Sequence, residues 1–114
     1  MICKHKYERF DCHGAAQLTD GGSRNAWGHV RDICLAGFYV FTVGPWPINT
    51  EVQFKLEIDG TVICGAGVVA TRNPGTGMSI AFLDLAPGYQ EKLDTLVHGL
   101  AHDASAPAGV GLRI

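Results

Sequence analysis

No apolar run in this chain approaches the length of about 18 residues that a membrane helix needs, so none is expected. The first residues lack the apolar stretch of a signal peptide, and the reading that follows is a soluble, cytoplasmic protein. Charge is scarce and nearly balanced, with a net of −2. That is too mild to draw the whole surface to a nucleic-acid polymer or an anionic membrane. Any anion site must be local. Phosphate-loop chemistry is missing too, because Gly75-x-Gly77 has no following lysine. Ser23, Ser79 and Ser105 stand in no nucleophile-elbow context, and His5, His13, His29, His98 and His102 are scattered. The chain therefore reads as a binding module and not an enzyme.

Paired metal-binding knuckles are also lacking. Cys3, His5, Cys12 and His13 have the ligand types for zinc, but their spacing does not match the usual sites, and no metal is expected. Cys3, Cys12, Cys34 and Cys64 are expected to be free thiols in a reducing compartment. There is no strand–helix–strand unit and no internal repeat.

What the sequence does have is 46% hydrophobic residues and 15 glycines in 114 positions. That length suits one domain with a core of its own, and the glycines suit many tight turns. The clearest pattern is Val52, Phe54, Leu56 and Ile58 alternating with Gln53, Lys55 and Glu57. A period of two places four apolar side chains on one strand face. Asp59-Gly60 follows and accepts the backbone of a type I′ hairpin turn. A returning strand spans Thr61 to Thr71, with Val62, Cys64, Ala66, Val68 and Ala70 on one parity. After the turn at Asn73–Gly77 comes a strand from Met78 to Leu83.

Earlier, Ala15, Ala16 and Leu18 suggest a short first strand, and Thr19 to Gly28 a loop. His29 to Leu35 and Phe38 to Val43 read as two more strands. Trp27 and Trp46 fall in expected loops, where packing against the fold is their simplest role. From Pro87 the period becomes helical, through Tyr89, Leu93, Leu96, Val97 and Leu100. Pro87 suits a first helical turn, capped by Asp84 or Ala86, and Gly99 should end the helix.

The expected fold is mainly β: a six-stranded antiparallel barrel of the split-barrel type with one C-terminal α-helix over a mouth or flank. Residues 1–11 form a basic N-terminal arm, residues 12–100 the barrel and helix, and residues 101–114 a flexible tail. A single-stranded nucleic-acid barrel would put aromatics on its outer surface. Here the aromatics of the long strands share the apolar parity and read as core.

Four stretches in this order resemble the PilZ domain family. They are Lys4-His5-Lys6-Tyr7-Glu8-Arg9-Phe10, Gly28–Gly37, Pro47–Val52 and Gly77–Pro87. The first is similar to the family's arginine-rich arm, R-R-x-x-x-R, and the second to its D/N-x-S-x-x-G motif. The resemblance runs from Lys4 to about Leu100.

It implies an effector module that binds cyclic di-GMP, with no cofactor of its own, in bacterial signalling. Arginines fork onto phosphate oxygens and lie against purine faces. Carried over residue by residue, Arg9 matches an arm arginine, while Lys4 and His5 stand where two arginines are usual. Asp32 matches the motif acid, Cys34 replaces the serine, and Gly37 matches the glycine. Lys6 and Arg31 are nearby basic residues able to compensate. Each lost charge-assisted hydrogen bond weakens binding by about 1.5–3 kcal/mol. The departures therefore leave a second reading open: a degenerate PilZ domain that binds no nucleotide and acts as an adaptor for a protein partner in motility or exopolysaccharide control.

Overall fold

The computed structural model describes residues 10–22 and 24–104. Six strands and a helix follow one another: β1 (Phe10–Thr19), β2 (Asn25–Cys34), β3 (Gly37–Phe41), β4 (Glu51–Ile58), β5 (Thr61–Asn73), β6 (Gly77–Leu85) and α1 (Pro87–Ala104). The strands close into a barrel in the order β1-β2-β3-β6-β5-β4, and every pairing is antiparallel. Closure removes the two long edges that an open sheet of these strands would carry.

The alternation in β4 explains the barrel most directly. Val52, Phe54, Leu56 and Ile58 are all buried, and their neighbours are exposed. Asp59 and Gly60 take positive φ angles of 51° and 82°, the backbone of the expected type I′ turn. Inside the barrel, Phe38, Phe54 and Phe82 stack as a cluster with ring centres 5.3–5.8 Å apart. Met78 and Ile80 from β6 complete the interior.

Several boundaries differ from the sequence reading. β1 begins at Phe10, so Phe10 and Asp11 join the sheet opposite Ile33 and Asp32. β2 begins at Asn25, not His29, and Trp27 lies in a strand. The connecting loop is shorter because Asp20 organises it: its carboxylate accepts from the Gly22 and Arg24 amides and from the Arg24 guanidinium at 2.7 Å. Gly28 looked like a loop residue but is buried in the strand. A Cβ there would meet the Phe41 carbonyl oxygen, so the glycine permits close approach of two strands.

In β5 the apolar parity from Val62 to Val68 is only half buried, and the opposite one, Ile63 and Val69, lines the core. α1 packs against β5, β1 and β6, and the Cys64 thiol beside Tyr89 raises the Tyr89 phenol above its ordinary pKa. Leu93, Leu96 and Val97 enter the same core as the strands, so the helix covers an end of the barrel. The Ala86 carbonyl accepts the Tyr89 and Gln90 amides at its start. Gly99 does not end it: the helix continues to Ala104. A glycine inside a helix costs only about 1 kcal/mol, which the buried face offsets. Residues 105–114 of the expected tail lie outside the described residues. No helix among the described residues is long and apolar enough to cross a membrane.

Candidate ligand-binding face

The motif stretch Asp32–Gly37 forms the end of β2, a two-residue turn at Leu35-Ala36 and the start of β3. Just before it, the register slips. β2 carries one residue more than β3 between Val30 and Asp32, and β1 carries one more than β2 between Asp11 and Gly14. Such bulges re-aim side chains. Val30 and Ile33 both point into the core, and Asp32 is turned to the outer face.

There Asp32 begins a polar row across the barrel wall. It pairs with Tyr39 on β3, Tyr39 with Ser79 on β6, and Ser79 with Thr71 on β5. Asp32, Tyr39 and Ser79 are buried although they lie outside the apolar core. Their polar groups are satisfied, as burial demands. The Tyr39 hydroxyl donates to Asn73 Oδ1 at 3.0 Å. The Ser79 and Thr71 hydroxyls meet at 2.6 Å, and the Thr71 amide donates to Ser79 Oγ at 3.1 Å. Burial pushes the Tyr39 phenol above its ordinary pKa, with the Arg31 charge opposing and Asp32 adding to the shift.

Arg31 is the exposed member of this group. Its guanidinium carbon lies 5.7 Å from the centre of the Tyr39 ring, and its Nε is 3.8 Å from Asp32 Oδ2. The side chain stays 54% exposed. An aromatic face below and a carboxylate beside it hold a planar cation open to solvent, which suits an incoming phosphate or purine.

The expected site residues are placed unevenly. Lys4, His5, Lys6 and Arg9 lie outside the described residues. Asp32, Cys34 and Gly37 come together at one hairpin, and all three are buried. Cys34 corrects the expectation of four free thiols: it is disulfide-bonded, whereas Cys12 and Cys64 are free. Its sulfur also accepts the Ala36 amide at 3.2 Å. Gly37 has no left-handed φ, so the turn does not need it for that reason. Of the zinc candidates, Cys3 and His5 lie outside the described residues. Burial, with Asp32, Asp59 and Asp11 adding, pushes the Cys12 thiol up to about 12. Tyr39 was missed because it sits in an apolar run. Its place opposite the motif acid, once Gly37 starts a strand, was the available signal.

The PilZ domain family model matches residues 4–99. No match was found among curated proteins. Among solved structures, the chain resembles the Bacillus subtilis inhibitor of motility MotI/DgrA at 14% identity and a TM-score of 0.72, covering 90% of this chain and 53% of that one. It resembles the PilZ domain of Escherichia coli YcgR with c-di-GMP at 14% identity and 0.67, covering 89% and 94%. It also resembles the K. pneumonia MrkH–c-di-GMP complex at 15% identity and 0.75, covering 90% and 53%. The chain thus spans about half of the first and third proteins and nearly all of the second. At such identities the likeness is one of fold.

Proposed function

The chain belongs to the PilZ domain family, and from that premise we propose that it is a cyclic di-GMP-binding effector module of bacterial signalling, working in the cytoplasm without catalysing a reaction. The observation that carries this reading is Arg31. Its guanidinium is exposed on the outer face, stacked on Tyr39 and set beside the motif acid Asp32. It supplies a planar cation in a chain whose arm has Lys4 and His5 where the family has arginines. The ligand's phosphates take the cations of Lys4, Lys6, Arg9 and Arg31, and its guanine edges meet the motif hairpin. YcgR and MrkH, whose structures hold c-di-GMP, share this fold.

Isothermal titration with cyclic di-GMP tests the reading. Saturable heat that falls in both Arg9→Ala and Arg31→Ala supports it. No heat at high protein concentration overturns it.

Cys34 favours a second reading. It brings no hydroxyl, is fully buried and is disulfide-bonded. A module lacking that contact works as an adaptor that binds a protein partner in motility or exopolysaccharide control. Absence of heat with the nucleotide, together with saturable binding to such a partner, is its signature.

A further inference from the structure

Cys34 is fully buried at the end of β2, two residues after Asp32, and is disulfide-bonded. The chain has four cysteines, Cys3, Cys12, Cys34 and Cys64. Cys12 and Cys64 are free. Within the chain that leaves Cys3, which lies outside the described residues, as the sulfur available to Cys34. Burial favours this partner over a second molecule, whose thiol has no open path to a fully covered side chain.

The register of β1 gives such a bond its consequence. Phe10, where β1 begins, stands opposite Ile33, the residue before Cys34. A bond from Cys3 to Cys34 would therefore fix Cys3 and Phe10 at adjacent positions of β2. Bonded cysteines keep their Cα atoms within about 7 Å, and paired strand residues lie about 5 Å apart. The chain from residue 3 to residue 10 reaches about 25 Å when extended, so it would have to fold back into a closed loop. That loop is Lys4-His5-Lys6-Tyr7-Glu8-Arg9. It carries the arm cations assigned above to the ligand's phosphates, and its ends meet at Ile33 and Cys34, next to Asp32.

In a reducing compartment a disulfide is usually transient and redox-sensing. We propose that Cys3 and Cys34 form a reversible clasp that closes the cationic arm over the motif hairpin, so that oxidation tightens cyclic di-GMP binding. This rests on the nucleotide reading. The oxidant is a low-molecular-weight disulfide such as oxidised glutathione. The Cys3 thiolate attacks one of its sulfurs and releases one small thiol, and the Cys34 thiolate then displaces the second from Cys3. The two cysteine sulfurs give up two electrons and two protons as their bond forms, and the small disulfide takes them up as it splits into two thiols. Closing the loop in advance removes ordering cost that an open arm meets on the ligand. Ordering one residue beforehand corresponds to about tenfold in affinity.

Trypsin places the four cysteines in four separate peptides. The full chain, equilibrated with oxidised glutathione and digested without reductant, should yield Met1–Lys4 joined to Asp32–Lys55, with the intact mass of a single chain beforehand. Dithiothreitol should release the two peptides. Titration calorimetry should show cyclic di-GMP bound about tenfold more tightly by the oxidised chain than by the reduced one. Cys3→Ser leaves the hairpin untouched and should bind like the reduced chain under both conditions. Cys34 found free, joined to another peptide or joined to a second copy overturns the proposal, as does equal or weaker affinity in the oxidised chain. Absence of heat from both forms removes the nucleotide reading alone. The clasp is then decided by tryptic cleavage after Lys4, Lys6 and Arg9 in the folded chain: slower cleavage on oxidation supports it, and equal rates overturn it.

Discussion

The Arg31 guanidinium carbon sits 5.7 Å from the centre of the Tyr39 ring. Because β2 carries an extra residue at this point, Arg31 and Asp32 approach the same ring from neighbouring positions along the strand. The bulge therefore gathers a cation, a carboxylate and an aromatic face on one patch of the wall. In a regular strand, alternation would send Arg31 and Asp32 to opposite faces.

Arg31→Ala should weaken cyclic di-GMP binding by about 10- to 100-fold, the loss of one charge-assisted contact of about 1.5–3 kcal/mol. Arg31→Lys should recover only part of it, since an ammonium neither forks nor stacks as a plane. Titration calorimetry at fixed salt measures both. Equal affinities for wild type and Arg31→Ala would remove Arg31 from the site while leaving the nucleotide reading standing.

Tyr39→Phe should destabilise the barrel by about 1 kcal/mol, because Asn73 Oδ1 loses the donor that reaches it at 3.0 Å. Denaturant unfolding reads this as a lower midpoint with an unchanged slope. The phenyl ring stays in place beneath Arg31, so nucleotide affinity should hold within about threefold, less than half of one power of ten. A large loss of affinity would assign the hydroxyl to the ligand.

How far the sequence reached depended on which signal each residue carries. Val52–Ile58 announced its strand because period two is a property of the chain alone. Asp59-Gly60 announced its turn by backbone preference. Asp32 and Gly37 were legible as a hairpin motif, but its burial was not, since that depends on what lies over the outer face. Gly28 misled because its reason is the Phe41 carbonyl, a neighbour 13 positions away. The β5 parity misled in the same way: its buried set, Ile63, Gly67 and Val69, follows from pairing with β4, whose buried Leu56 and Val52 stand opposite Ile63 and Gly67. Tyr39 and Arg31 became a site only when the bulge brought them together.

Gly28→Ala should lower stability sharply. The new Cβ would collide with the Phe41 carbonyl oxygen and lie 2.9 Å from a Val40 methyl. Neither the backbone atom nor the buried valine can retreat without opening the β2–β3 contact. Overpacking of this kind costs about 1–3 kcal/mol, and thermal melting should show it. Gly99→Ala is the control: nothing lies near its Cβ on the helix. Removing a helical glycine should raise stability by about 0.5–1 kcal/mol.

Cys12 is buried, and its thiol titrates at about 12 in place of 9.0, chiefly through desolvation, with Asp32, Asp59 and Asp11 adding to the cost of a thiolate. The folded state thus keeps its proton where the unfolded state releases it. Stability from this difference is fully present below pH 9 and is lost as pH rises toward the folded value near 12. Cys12→Ala removes the group from both states and should flatten the fall in unfolding free energy across that window. It also leaves a small cavity, so the absolute stability drops at every pH, and only the slope carries the result. An unchanged slope would mean that the thiolate is no harder to form in the barrel than in water, and that the carboxylates do not act on it.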